Sequence, residues 1–177
     1  KQVAFASHYI AAQKIGGDLY DVFSLDENTI GFAIADVSGK GISASLLMAI
    51  CQTHLRHFAK AHRSPADVLC AINAAMEKTM QRDMFITMIY AVFDRATEKL
   101  TLARAGHEPA FFYDSHSDGT LDVAPLQSPG MAIGMVGPEL LDPVIQDLSI
   151  HFGKNDALLL YTDGVTECTN QRGEEFS

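Results

Sequence analysis

One helical block between two groups of strands limits this chain to folds that stack helices on sheets. Residues 42–62 are rich in Ala, Leu, Met and Ile and contain neither Pro nor Gly, which predicts a long helix with a broad apolar surface. A second helix is predicted to begin after Ser64 and to run to about Met80, because Ser caps helices, Pro65 suits the first helical position and Asp67 places an acid in the first turn. This order favours an α+β domain in which antiparallel sheets are covered by helices.

Apolar runs bounded by turn-forming residues predict strands on both sides of this block. The predicted strands are 3–10, 19–25, 29–37, 84–93, 99–105, 110–113, 121–126, 144–152 and 157–161. Antiparallel pairing of the second and third would bring Asp18, at the start of one strand, close to Asp36, near the end of the other. Asp21 would then lie on the opposite face of its strand from Asp18, which favours a supporting or structural role.

The composition indicates one globular domain, residues 1–177, with no direct contact to membranes or nucleic acids. The chain is 47% hydrophobic and 20% charged, and no apolar run approaches the roughly 18 to 20 residues of a membrane span. A formal net charge of −9 disfavours nucleic-acid binding, because clustered Lys and Arg are needed to meet phosphates. The odd number and wide spacing of Cys51, Cys70 and Cys168 favour reduced thiols in a cytoplasmic setting.

Residue spacing excludes two other phosphate chemistries. None of the three cysteines is followed, at the required spacing, by the arginine of a cysteine phosphatase. The segment Ser-Gly-Lys-Gly at 38–41 resembles part of a nucleotide-binding phosphate loop, but that loop requires glycine where Ile34 stands and Ser or Thr where Gly41 stands. A cysteine nucleophile and an NTPase site are both ruled out.

Three short motifs each place one aspartate beside glycine at a strand boundary. They are Gly-Gly-Asp at 16–18, Ala-Asp-Val-Ser-Gly-Lys-Gly at 35–41 and Tyr-Thr-Asp-Gly at 161–164. Glycine permits the turns that let a carboxylate and a main-chain carbonyl approach one point. Asp18, Asp36 and Asp163 together therefore indicate a site for hard divalent cations, which prefer oxygen ligands. The alternative is that each Asp-Gly pair only forms a turn.

Together with three further segments, these motifs resemble one known family. Met-Phe-Ile-Thr at 84–87, Ala-Gly-His-Glu-Pro at 105–109 and Gly-Glu-Glu-Phe at 173–176 complete a pattern similar to that of bacterial SpoIIE/RsbU-type serine phosphatases, relatives of protein phosphatase 2C. The resemblance covers nearly the whole chain. It implies an α-β-β-α sandwich of two mostly antiparallel sheets flanked by helices, with a two-metal site for Mn²⁺ or Mg²⁺ at one edge of the sheets.

The resemblance also implies a role for each site residue. Asp36 would bridge both ions, the Val37 carbonyl would bind one of them, Asp163 would hold the other, and Asp18 would act directly or through water. Two ions in such a site lower the pKa of a shared water and clamp the phosphoryl oxygens, so water attacks phosphorus in line without a covalent intermediate. The catalytic set is therefore expected to be Asp18, Asp36 and Asp163.

The expected activity is that of a metal-dependent protein serine/threonine phosphatase. The family-typical substrate is a phosphorylated anti-anti-sigma protein of the STAS type, and a sensor or regulatory domain is expected upstream. Homodimerisation stays open. The alternative function is a catalytically inactive phosphatase fold that serves as a binding module in a signalling protein.

Family members continue past the Gly-Glu-Glu-Phe segment with a helix and a strand that carry one more metal-binding aspartate, and they begin with an extra helix. The resemblance therefore implies that this chain lacks terminal elements of the domain, and that the longer gene product supplies the further acid.

Four other residues carry weaker expectations. Lys40 could contact a substrate phosphate, although a solvated loop lysine is the favoured interpretation. His107 could donate a proton to the leaving serine, but a role in fixing a turn is favoured. His54 and His57 stand three apart on the first helix, a spacing that can bind metal, and no carboxylate or cysteine partner lies nearby in sequence.

Overall fold

The computed structural model describes residues 3–11, 16–77, 79–80, 83–116 and 119–176. Its helices are α1 (Ile42–Ala61), α2 (Pro65–Met76), α3 (Pro138–Leu141) and α4 (Asp163–Thr166). Its strands are β1 (Leu19–Ser24), β2 (Thr29–Val37), β3 (Ile86–Asp94), β4 (Lys99–Ala105), β5 (Ala110–Ser115), β6 (Leu121–Leu126), β7 (Leu148–His151) and β8 (Ala157–Leu159). The larger sheet has the order β1-β2-β3-β4-β7 and the smaller has the order β6-β5-β8. Every pair of neighbouring strands is antiparallel.

The alternation along β2 divides the apolar core into two layers. Ala33, Ala35 and Val37 join the cluster that includes the buried faces of α1 and α2. Phe32 and Ile34 point the other way, into a second cluster that also contains side chains of the smaller sheet. The layer order is therefore helices, larger sheet, smaller sheet, and the even-numbered side of β2 faces the space between the sheets.

The two long helices form as the sequence predicts. The buried residues of α1 recur every three or four positions, among them Ala44, Leu47, Met48, Cys51 and Leu55, so one stripe packs on the larger sheet. At the start of α2 the Ser64 hydroxyl accepts a hydrogen bond from the backbone N–H of Asp67 at 3.1 Å. Both helices lie on the larger sheet, and the other two helices of the described chain are single turns.

The strand predicted at 3–10 is wrong. This segment pairs with no strand, and its aromatic rings lie against the sheet instead: the Phe5 ring centroid is 5.8 Å from that of Phe32, and the Tyr9 centroid is 6.5 Å from that of Tyr20. An apolar run forms a strand only where it can pair with the edge of a sheet. Here the aromatic contacts with the sheet take the place of backbone hydrogen bonds to a neighbouring strand.

Several other boundaries differ from the sequence prediction: the strand predicted at 84–93 is β3 (Ile86–Asp94), that at 110–113 extends to Ser115, and that at 157–161 ends at Leu159. Helix α2 ends at Met76 rather than about Met80. The strand predicted at 144–152 is reduced to β7, because Ile145 packs in the helix-side cluster and the Asp147 carboxylate accepts the Ala66 N–H at the start of α2. The short helices α3 and α4 were not predicted. No helix within the described residues combines the length and apolar character needed to cross a membrane.

Candidate active site

The β1–β2 hairpin brings Asp18 and Asp36 together. Leu19 pairs with Ala35, so Asp18, one residue before β1, stands opposite Asp36, and the predicted hairpin is confirmed. Asp36 is partly buried, and its carboxyl group lies close enough to that of Asp18 for the two to share a proton in a hydrogen bond. Burial, this hydrogen bond and the negative charges of Asp18 and Asp163 raise the pKa of Asp36 to about 7. The two acids therefore form one strongly interacting pair.

Gly17 leaves room for the Val37 carbonyl, which follows Asp36 in the chain. A Cβ atom at position 17 would stand 3.2 Å from the Val37 carbonyl oxygen and 3.4 Å from the Cβ of Ala44. The neighbouring Gly16 carbonyl accepts a hydrogen bond from the Ser45 hydroxyl of α1 at 2.8 Å. Close backbone approach thus explains one glycine of this motif. By contrast, Gly164 has no left-handed φ, and a Cβ there would make an ordinary contact, 3.8 Å from Thr162 Oγ1, so neither its φ nor a close approach requires glycine at this position.

Asp163 comes to this region from the smaller sheet. It is the first residue of α4, four positions after β8 ends at Leu159. The preceding Thr162 donates a hydrogen bond from its hydroxyl to Asp18 Oδ2 at 3.2 Å. Asp163 itself is exposed, and it acts on Asp36 through its charge. Within the described residues, no three His, Cys, Asp or Glu side chains stand close enough together to hold an ion as they are placed.

His107 is buried between the two sheets near these acids. Its Nδ1 is 2.8 Å from the Thr87 hydroxyl, and its Nε2 is 3.1 Å from the Tyr161 carbonyl oxygen. Burial lowers the pKa of His107 to about 4, against the opposing effects of the Tyr161 carbonyl and nearby acids. A neutral, internally bonded ring favours the structural interpretation of this residue over that of a proton donor.

Asp18, Asp36 and Asp163 together are called the acid group below. The other candidate residues lie outside it. Asp21 is 6% exposed and accepts hydrogen bonds from Arg56 at 2.6 and 2.8 Å and from Gln52 at 3.1 Å. Although burial raises the pKa of Asp21, these hydrogen bonds hold it below its usual value, so Asp21 anchors α1 to β1. His54 stacks on the ring of Phe58, and it joins no metal-binding group among the described residues.

His57 makes an edge contact with the same ring, and Lys40 is exposed on the loop between β2 and α1. Among the described residues, no contact supports a role in metal binding for His57 or a role in phosphate binding for Lys40.

Residues 26–177 match the sequence profile of the family described as Stage II sporulation protein E (SpoIIE). The chain belongs to the SpoIIE family. It is 34% identical over 164 residues to the phosphoserine phosphatase RsbU of Bacillus subtilis, an alignment that covers 93% of this chain and 47% of RsbU. The chain thus spans about half the length of this relative.

Two solved structures show the same fold. The SiaA-PP2C domain of Pseudomonas aeruginosa has a TM-score of 0.75 at 20% identity, covering 92% of this chain and 62% of that one. RsbX, solved in complex with magnesium, has a TM-score of 0.69 at 16% identity, covering 87% of this chain and 69% of that one. The predicted α+β sandwich of antiparallel sheets is confirmed.

The donor chemistry of the acid group in this SpoIIE-family domain fits a hard divalent cation. The side chains that raise the pKa of Asp36 are both acids, and the opposing influence is a backbone N–H, that of Val37. Carboxylates crowded in this way repel one another, and a bound cation would relieve the repulsion. Carboxylate and carbonyl oxygens are also the ligands that Mg²⁺ and Mn²⁺ prefer.

Sequence reasoning missed three contributors to this region. Thr162 and Thr87 lie within motifs already singled out, but only the sheet packing shows that they contact Asp18 and His107. Tyr9 lies outside any motif. Burial and the charges of Asp18 and Asp36 raise the pKa of Tyr9, which places its phenol near the acid pair.

Proposed function

We propose that this chain is the catalytic part of a metal-dependent phosphatase that hydrolyses phosphoserine or phosphothreonine on a regulatory protein. The observation that carries the proposal is the Asp18–Asp36 pair at the end of the space between the sheets, with the charge of Asp163 directed at it. Membership of the SpoIIE family and similarity to a phosphoserine phosphatase support the same reaction class.

Asp18, Asp36, Asp163 and the Val37 carbonyl would hold the ions, with two Mn²⁺ or Mg²⁺ expected in the complete domain. When bound, such ions lower the pKa of water and neutralise phosphoryl charge. The magnesium in RsbX, a protein of the same fold, supports a hard cation here.

The chain's own groups prepare this arrangement. The Thr162 hydroxyl occupies one lone pair of Asp18 Oδ2, which orients that carboxylate and leaves its other oxygen for the site. Gly17 keeps side-chain atoms away from the Val37 carbonyl. Asp36, at the end of β2, faces the layer between the sheets, where partial burial strengthens its interaction with a positive charge.

Substitution of Asp36 by Asn tests the proposal directly. In the full-length protein, Asp36→Asn should abolish Mn²⁺-dependent hydrolysis of p-nitrophenyl phosphate and of a phosphoserine peptide. Asp122→Asn is the matched control, because Asp122 is 80% exposed on β6 and pairs only with His116 among the contacts described. Retention of activity in Asp36→Asn would refute the assignment.

The substrate proposal is narrower. A phosphorylated anti-anti-sigma protein of the STAS type is the substrate that the family resemblance suggests. The phosphatase would act on it in the cytoplasm, under the control of its own upstream sensor domain. Dephosphorylation of such a protein, compared with an unrelated phosphoprotein, would test it.

A binding module without turnover is the second candidate. It is favoured by one observation: Asp163 is exposed, and no three acids of the described chain are assembled as ligands. Calorimetric titration with Mn²⁺ separates the two functions, because the binding module should show no heat of metal binding.

A further inference from the structure

His107 joins the two sheets next to the acid group. Asp36 pairs with Thr87 across β2 and β3, so both side chains point into the space between the sheets. Thr87 contacts His107, and His107 contacts the Tyr161 carbonyl. One residue further along lies Thr162, which contacts Asp18. A single imidazole therefore connects β3, at the position paired with Asp36, to the segment that carries Asp163.

The hydrogen-bonding partners define which ring nitrogen of His107 carries the proton. A carbonyl oxygen can only accept, so Nε2 of His107 carries the proton and donates to Tyr161. Nδ1 is then the acceptor for the Thr87 hydroxyl. The ring is 3% exposed and both nitrogens are satisfied, so it has one orientation in this packing.

The backbone at position 107 is held to the larger sheet independently of its side chain. Gly106 forms a bridge with Met88 of β3, and the Arg104 guanidinium donates to the His107 carbonyl at 2.5 Å. Gly106 has φ of 68°, and a Cβ atom there would stand 2.8 Å from the Ala132 nitrogen. The Ala-Gly-His motif thus holds the backbone of His107 in place while the imidazole reaches Tyr161, in the segment that follows the smaller sheet.

The segment between the end of β8 and Asp163 is held to the rest of the described chain by a small set of contacts. Strand β8 ends at Leu159, and α4 is a single turn. Besides the bond from His107, the described contacts that hold the segment to the rest of the chain include the packing of Leu160 in the cluster between the sheets, the stacking of Tyr161 on Phe111 and the Thr162–Asp18 hydrogen bond. Loss of the His107 bond would therefore let the backbone before Asp163 shift.

We propose that His107 is a positioning residue that sets the affinity of the acid group for a divalent cation by holding the Tyr161 carbonyl. It touches neither the ion nor the substrate. The inference rests on the proposed function and adds to it a specific residue, whose effect passes through the backbone to Asp163. Partners that orient metal ligands typically change metal affinity by about 10–100-fold, so an effect of about tenfold is expected here.

Two near-isosteric substitutions separate positioning from simple stability. The amide nitrogen of Gln can take the place of Nε2, so His107→Gln should keep the bond to Tyr161. Asn reaches only the place of Nδ1, so His107→Asn should keep the contact with Thr87 and lose Tyr161. Calorimetric titration of the full-length protein with Mn²⁺ should show a Kd about tenfold higher for the Asn variant and within about threefold of wild type for the Gln variant.

Matched variants complete the test. Ile72→Val removes a buried methyl group of α2 on the far side of the larger sheet, so it should lower Tm without changing the Mn²⁺ Kd. Thr87→Val removes the hydroxyl that orients the ring and should raise Kd, whereas Thr87→Ser should not. If His107→Asn does not fold, the comparison of the Mn²⁺ Kd of Thr87→Val with that of Thr87→Ser tests the positioning role.

The outcomes distinguish this inference from the proposed function. Equal Kd values for wild type, His107→Asn and Thr87→Val would overturn it, as would an Ile72→Val variant that loses as much affinity for the same fall in Tm. If Asp36→Asn abolishes Mn²⁺ binding while the His107 variants bind like wild type, only the positioning role is wrong. If Asp36→Asn binds Mn²⁺ unchanged, the site assignment fails and the positioning role fails with it.

Discussion

Substitution of Gly106 by Ala tests how the Ala-Gly-His turn is built. Two effects should destabilise the variant. A left-handed φ of 68° costs a residue with a Cβ atom about 1–2 kcal/mol. The new Cβ would also stand 2.8 Å from the Ala132 nitrogen, and forcing extra atoms into a packed site costs about 1–3 kcal/mol.

Gly119→Ala is the control for this experiment. Gly119 has φ of 86° with no atom within 4 Å of the added Cβ, so its substitution carries the conformational cost alone. Both variants also lose the same unfolded-chain entropy of glycine, which cancels in the comparison. Urea unfolding should show Gly106→Ala less stable than Gly119→Ala by about 1–3 kcal/mol. Equal stabilities would refute the close approach of Gly106 to Ala132.

Two further predictions concern buried polar groups. Tyr90 is fully buried and its hydroxyl has no hydrogen-bond partner within the described chain, so Tyr90→Phe should raise the free energy of unfolding by about 1 kcal/mol in urea unfolding; a fall would show that the hydroxyl has a partner. The lowered pKa of Asp21 means that its charge stabilises the fold above the unfolded-state pKa of about 4, and that this contribution is lost as pH falls through the lower folded-state pKa. Asp21→Asn should therefore lower the urea midpoint at pH 7 more than at pH 3, and an equal loss at both would contradict the ion pair with Arg56.

Local signals in the sequence predicted the elements that local chemistry determines. Strand β2 has its predicted bounds, and the Ser64 cap starts α2 where Ser and Pro indicated. The prediction of a strand at 3–10 failed because a strand must pair with the edge of a sheet, whereas the aromatic rings of this segment pack on the sheet face. Whether an apolar run pairs or packs depends on residues far along the chain, which a local pattern does not contain.

The acid group shows the same limit. The hairpin made the approach of Asp18 to Asp36 predictable, because register follows from a short turn. The placement of Asp163 follows from contacts between separate sheets, Thr162 with Asp18 and His107 with Tyr161. The sequence marked His107 within a motif, but its two partners lie 20 and 54 residues away.

The candidate site therefore depends on the packing of one sheet against the other. Asp18 and Asp36 belong to the larger sheet, whereas Asp163 follows the smaller one, and the hydrogen bonds of Thr162 and His107 cross between them. A small shift of β8 relative to β3 would move Asp163 away from the pair without disturbing either sheet. The exposed position of Asp163 and the raised pKa of Asp36 both fit the proposal that a bound cation completes the geometry of this acid group.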